Sequence, residues 1–296
     1  MSAARAIGLV LGVAADGALG DARRRLPVTV FRRLPHRSGV VVAGALVVGG
    51  ALLERASRGR PLVQATATAV TTWAVLGAAG LAQQGTELAR DLEECRFEPA
   101  RETLSELDPR VADGLGAIAL ARASVETLAE NTSDAVVAPL VWGALAGVPG
   151  LLGARAVSLL RRSRVGRRGH WAVDRADELV HLVPTRVAAA LTVLAAPVVG
   201  GSAGGAWRAW RRDTIAHPSP NAGRVEAAFA GALEIRVGGR TVYPHGVLEL
   251  PVLGVGRNPD AGHVTRAVEL SRVVGWLAGA TSVVVAVVAG FGRRSS

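Results

Sequence analysis

The sequence predicts a mostly α, polytopic integral membrane protein with about 4–6 membrane helices and a small soluble region containing a short β-hairpin. Three observations point there. Half of the 296 residues are apolar, and aromatic residues are few. Long apolar runs recur near 6–20, 38–53, 61–84, 135–160, 182–206 and 272–291, and none alternates as a barrel strand would. The positive charge is clustered beside those runs, as in Arg23-Arg24-Arg25, Arg161-Arg162, Arg211-Arg212 and Arg293-Arg294. Membrane helices are flanked this way on their cytoplasmic side, so a multi-pass membrane protein is predicted, with the cell (cytoplasmic) membrane as its expected location.

In chain order, the run at 6–20 reads as a first membrane-associated helix. Asp16 and Asp21 stand where a signal peptide would carry small residues for cleavage, so the helix is expected to be retained. The run at 38–53 is short. A full span needs about 20 residues, and 61–84 meets that length. Residues 85–134 mix acids and arginine at helical spacing and predict two or three amphipathic helices. The run at 135–160 is long enough to cross, but Pro139, Pro149 and four glycines make it a candidate broken or re-entrant segment. The stretch 161–186 is strongly basic. A further span is expected at 182–206. Residues 207–271 form a soluble loop region, in which Leu233–Val237 and Arg240–Tyr243 flank Gly238-Gly239 as a hairpin turned at the glycine pair. The run at 272–291 is the last span. Nothing divides residues 1–296 into separate units.

Composition also excludes chemistry. The chain has no lysine, so a P-loop lysine, a Schiff base and a lysine nucleophile are ruled out. One cysteine, Cys95, rules out an intrachain disulfide. The net charge of +10 follows the membrane flanks and is not read as a nucleic-acid surface.

Four constellations are candidates for chemistry. Glu126, Glu130 and Asp134 are spaced to share one helix face, with Asn131 beside them; like charges so placed repel unless a cation repays the cost. That face reads either as a divalent-metal or amine site or as a solvated helix flank. His217-Pro-Ser-Pro-Asn-Ala-Gly223 offers an imidazole, the Ser219 hydroxyl and the Asn221 amide on a loop stiffened by proline, with Arg211, Arg212 and Asp213 upstream. Arg175, Asp177, Glu178 and His181 precede Pro184 at a membrane entry and read as a metal or proton site, or as a helix flank. Asp16 and Asp21 bracket a Gly-containing helix end that either holds a metal or is simply capped by Gly20.

Taken in order, these segments resemble the CobD/CbiB family of cobalamin biosynthesis, the adenosylcobinamide-phosphate synthases. The resemblance rests on Asp16-x-x-x-Gly-Asp21, Arg122-Ala-Ser-Val-Glu-Thr-Leu-Ala-Glu-Asn-Thr-Ser-Asp134, Ala138-Pro-Leu140, Gly147-Val-Pro-Gly150, Arg175-x-Asp-Glu178 with Pro184-x-Arg186, and His217-Pro-Ser-Pro-Asn-Ala-Gly223 with Glu226. It implies a membrane ligase that joins adenosylcobyric acid to (R)-1-amino-2-propanol or its O-phosphate through an amide, using ATP and Mg²⁺. On that reading Glu126, Glu130, Asn131, Asp134 and His217 are catalytic. Arg122, Arg175, Arg212, Ser219 and Asn221 bind substrate or phosphate, and Asp21, Glu130, Asp134 and Asp177 hold metal. Other cobalamin enzymes become possible partners, besides membrane lipid.

The chain departs from the family pattern at Ala22, at Leu26-Pro27 and at Leu107-Asp-Pro109. The largest departure is at 158–170. There Ser158-Leu-Leu-Arg-Arg-Ser163 stands where the family carries Asn-Thr-Leu-Asp-Ser-Met. If that stretch carries catalysis in the family, a slow, altered or inactive member is expected. The alternatives are a paralogue with another carboxylate and amine, or a weakly catalytic membrane scaffold for corrin enzymes.

Overall fold

The architecture is described from a computed structural model, for residues 2–20, 36–162, 171–219 and 221–292. Asp21 and the second half of the divergent 158–170 stretch fall outside them. The N-terminal helices are α1 (Ser2–Leu19), α2 (His36–Ala56), α3 (Pro61–Val75), α4 (Ala78–Glu93), α5 (Phe97–Leu107) and α6 (Ala117–Asn131). A π-helical turn follows at Thr132–Val137, then α7 (Ala138–Ala146), α8 (Val148–Arg162) and α9 (Trp171–Ala195). The chain ends with α10 (Ala203–Asp213), α11 (Ala222–Leu233), strands β1 (Val237–Tyr243) and β2 (Gly246–Leu253), and α12 (Ala261–Gly292).

Four stretches among the described residues are long and apolar enough to cross a membrane: Ser38–Ala56, Pro61–Glu93, Trp171–Val199 and Ala261–Ala289. The fold is therefore that of a polytopic, mostly helical membrane protein. The run at 38–53, short in the sequence, lies within a helix of 21 residues. The run at 135–160 is interrupted: Gly147, at φ +72, ends α7 and separates it from α8. Only a residue without Cβ fits there, because a Cβ would come within 2.5 Å of Glu54 Oε2.

That contact belongs to a buried polar knot. Glu54 Oε1 accepts from Arg5 Nη2 at 2.6 Å and from Gln64 Nε2 at 3.1 Å, while Oε2 accepts from the Val148 amide at 3.1 Å. One carboxylate thus joins α1, α2, α3 and the start of α8, satisfying charges that would be costly unpaired at membrane depth. Along α1, Gly8 and Gly12 face Thr68 and Thr72 of α3 so closely that a Cβ at either would overlap. Small residues at such contacts let backbones approach where dispersion has to hold helices together.

Pro184 lies inside α9. It has no N–H to offer the Val180 carbonyl one turn back. The indole Nε1 of Trp142, on α7, donates to that oxygen at 2.8 Å, so the break fastens α7 to α9.

The hairpin is present, but its turn is not the glycine pair. β1 and β2 pair antiparallel with Tyr243 opposite Gly246, so the chain reverses at Pro244-His245. Gly238 and Gly239, at φ +89 and +86, lie within β1, where the register shifts. Their freedom at positive φ makes a bulge instead of a turn. A Cβ on Gly238 would meet the Pro251 carbonyl at 2.2 Å.

Candidate functional site: a buried acid and arginine centre

The α6 carboxylate face exists, but two different structures divide it. Glu126 is 2% exposed and has both oxygens engaged. Oε2 accepts from Arg110 Nη1 at 2.6 Å, and Oε1 accepts from the Gly238 amide at 2.6 Å. Arg110 also binds Asp108 Oδ2 at 2.9 Å, and Thr127 Oγ1 donates to that same oxygen at 2.8 Å. This knot ties α6, the loop after α5 and the β1 bulge together. Burial alone would raise Asp108, but Arg110 outweighs it and holds the carboxyl below the ordinary carboxylate range.

Glu130 and Asp134 turn to a second centre. After Asn131 the helix widens into the π turn, and Ser133 and Asp134 are carried toward α8 and α9. Such turns frequently occur at functional sites. Arg161, in the last turn of α8, meets three acids with one guanidinium. Nη2 lies 2.8 Å from Glu130 Oε1 and 2.9 Å from Asp134 Oδ2, and Nε lies 3.1 Å from Asp177 Oδ2. His181, one turn along α9 from Asp177, places Nδ1 3.1 Å from Asp177 Oδ1, with Nε2 3.1 Å from Ser158 Oγ and 3.6 Å from Asp134 Oδ1. Arg162 donates to Asn131 Oδ1, while Asn131 Nδ2 donates to the Thr127 carbonyl at 2.8 Å.

A small cavity of about 30 Å³ adjoins this centre, lined among others by Glu130, Ser133, Asp134, Asp177, Ser219 and Asn221. It has room for a water or one small polar group. Ser133 is 1% exposed, and its hydroxyl has no hydrogen-bond partner.

The His-Pro-Ser-Pro-Asn-Ala-Gly loop closes the far side. Ser219 Oγ accepts from the Ala222 amide at 3.1 Å, capping α11. Asn221 Nδ2 donates to the Glu178 carbonyl at 2.9 Å, and Asn221 Oδ1 accepts from Thr185 at 3.4 Å. The loop is thereby pinned to α9. His217 is almost enclosed, with Nδ1 3.1 Å from both the Ser219 amide and the Ser219 carbonyl oxygen. Its Nε2 has no hydrogen-bond partner and points toward Glu226 Oε2, 3.8 Å away. Gly223 is required here because a Cβ would meet the His217 ring at 2.4 Å.

Glu226 is a buried acid facing other acids. Burial first, and then the nearby charges of Glu126 and Glu130, raise its pKa well above the ordinary 4.5. The folded state holds this proton more tightly than the unfolded chain does. The resulting stability is complete below the unfolded value and is lost as pH rises through the folded one. Thermal unfolding in detergent between about pH 6 and pH 9 is expected to show wild type weakening as pH rises, and Glu226→Gln weakening less. Equal slopes would show that Glu226 ionises normally.

The remaining sequence candidates are scattered. Arg122 donates to the Arg240 carbonyl at 3.0 Å, Arg175 pairs with Glu178 at 2.7 Å, and exposed Arg212 pairs with Asp213. The three lie on α6, α9 and α10, and each is engaged locally. Asp16 accepts from the Ala79 amide at 2.9 Å and so fastens the start of α4. Sequence reading missed Arg110 and Asp108 as partners of Glu126. Arg161, in the sequence a flanking charge and a departure from the family pattern, lies at the heart of the centre. Residues 158–162 are not loop but the last turn of α8, and they point into the centre.

As arranged, the acids do not fit a metal ion. Among the described residues, no three His, Cys, Asp or Glu side chains form a metal-ligating group. The oxygens of Glu130, Asp134 and Asp177 that would serve face one guanidinium.

The fold and this centre define a class: a membrane protein that buries a shared acid and arginine cluster beside its spans. The family model described as CobD/Cbib protein matches residues 9–271. The chain is 46% identical over 292 residues to "Cobalamin biosynthesis protein CobD" of Mycobacterium tuberculosis, covering 91% of this chain and 92% of that one. It is 37% identical over 223 residues to the protein of the same name from Geobacter metallireducens, covering 73% and 70%. Against that of Chromobacterium violaceum it is 34% identical over 236 residues, covering 78% and 74%. No solved structure matches. The chain belongs to the CobD/CbiB family of cobalamin biosynthesis proteins.

Proposed function

We propose that the chain is an ATP-dependent amide ligase of the cytoplasmic membrane, acting on a corrinoid carboxylate. Adenosylcobyric acid supplies the carboxylate, and (R)-1-amino-2-propanol or its O-phosphate supplies the amine. One observation carries this reading: the three stretches with the family strings, 126–134, 175–181 and 217–226, converge on one cavity.

The chemistry follows from the side chains. Transfer of the ATP γ-phosphoryl to the carboxylate gives an acyl phosphate, and the amine displaces phosphate from it. The amine arrives as an ammonium ion and must lose a proton before it can attack. Glu130 and Asp134 offer the negative charge that draws an ammonium ion to the cavity. On this reading His217 takes the proton; its buried Nε2 lacks a hydrogen-bond partner and faces Glu226. Asn221 and Ser219, fixed to α9 and α11, hold that loop rigid while it does so. Magnesium belongs to this reading as the ion that accompanies the nucleotide, and no step is assigned to it here.

The test uses purified membranes containing the full chain, supplied with adenosylcobyric acid, the amine in either form, ATP and Mg²⁺. Mass spectrometry is expected to find the amide, formed only with ATP and with ADP released. Absence of the amide from a well-expressed preparation, with both amines tried, would overturn the assignment.

A further inference from the structure

We propose that Arg161 is the resident cation of the acid centre and keeps divalent metal ions out of it. The inference rests on the geometry around Arg161 and does not depend on which carboxylate and amine are joined.

Three carboxylates from separate elements face inward: Glu130 from α6, Asp134 from the π turn and Asp177 from α9. Their mutual repulsion requires a cation among them. Arg161 supplies it from a fourth element, α8, with nitrogens 2.8, 2.9 and 3.1 Å from one oxygen of each acid. A guanidinium suits this place because it is planar, permanently charged and able to meet several carboxylates at once. Magnesium or manganese would need those oxygens at about 2.0–2.2 Å, in the volume the guanidinium fills. It would also lie beside a fixed positive charge. The His181 ring lies against the other oxygens of Asp134 and Asp177, at 3.6 and 3.1 Å.

Removing the guanidinium alone reverses the situation. The three acids remain, and the vacated volume joins the existing cavity of about 30 Å³. The Ser133 hydroxyl, buried and without a partner, already lines that cavity and supplies one more hard oxygen. The centre is therefore a metal site closed by one side chain.

Binding of Mn²⁺ alone, without nucleotide, is followed by electron paramagnetic resonance on detergent-purified full chain. Wild type and Arg161→Lys, which both keep a cation, are expected to show no Mn²⁺ signal that depends on Asp134. Arg161→Gln is expected to bind Mn²⁺ at least about tenfold more tightly, because one fixed positive charge has gone. Adding Asp134→Asn to that variant is expected to abolish the gain. A purely structural role for Arg161 would destabilise the variant without creating a metal site. The proposal fails if wild type binds Mn²⁺ in a way that Asp134→Asn removes. It fails equally if monodisperse Arg161→Gln gains no affinity. Asp134-dependent binding by wild type overturns the proposal even if Arg161→Gln does not fold.

Discussion

Replacing Asp134 by asparagine is expected to abolish growth rescue of a cobalamin auxotroph lacking its own synthase, while wild type rescues it. The substitution removes one negative charge and keeps the shape of the side chain. Asp134 is 5% exposed and engages Arg161 and His181 together. Burial favours its neutral form, yet His181, Arg161 and Arg162 outweigh burial and hold the carboxyl below the ordinary range. It is therefore charged at working pH, and on the proposed reading that charge helps draw the incoming ammonium ion. Loss of such a preorganised charge costs on the order of 10²-fold or more in rate. Glu130→Gln is expected to act the same way through the same guanidinium. Membrane abundance of both variants is measured alongside by immunoblot. Rescue by either variant at wild-type level would remove these carboxylates from the reaction.

The second large effect is on stability. Arg110→Met is expected to lower the unfolding free energy by about 3–5 kcal/mol, the usual consequence of stripping one partner from a buried ion pair. Arg110, Asp108 and Glu126 have side chains only 6%, 3% and 2% exposed. Without the guanidinium, two carboxylates would remain in the interior facing each other. Thermal unfolding of the purified protein in detergent measures the loss. Combining Arg110→Met with Asp108→Asn and Glu126→Gln is expected to recover part of it, because no unpaired charge is then left behind. An unchanged midpoint in Arg110→Met would show that water reaches the knot.

These two effects separate what could be read in the chain from what could not. The apolar runs, the amphipathic stretch and the hairpin follow from local pattern, since burial in lipid and strand pairing impose their periods on the sequence itself. The carboxylate face of α6 was also legible, because helical spacing alone brings Glu126, Glu130 and Asp134 to one side. Its division was not. Which acid meets Arg110 and which meets Arg161 depends on the π turn after Asn131, and no residue type announces that turn. The hairpin turn was misplaced for a similar reason. A glycine pair serves a bulge as well as a reversal, and the choice was made by Glu126, which takes the Gly238 amide from outside the hairpin. Arg122, Arg175 and Arg212 were grouped by residue type, whereas each has a carbonyl or acid close by to engage it. Arg161 seemed a lost acid in sequence and proves to be the hub of the centre.

The π turn at Thr132–Val137 carries a consequence for how this chain tolerates change in length. A π turn accommodates one residue more than the α-helix it interrupts, so the segment holds one supernumerary position. Deleting any one residue there would let an unbroken α-helix form, with no loss of helical hydrogen bonding. Because the extra residue is taken up within the turn, the helix that follows would keep its phase relative to α6, and only the side chains of the turn itself would be re-aimed. Glu130, Pro139 and Trp142 would keep their neighbours, while Asp134, which the turn carries toward Arg161, would be re-aimed. The one residue by which this segment exceeds an unbroken α-helix is thus the one that brings Asp134 to Arg161, so a shortening that would improve the helix would cost the centre.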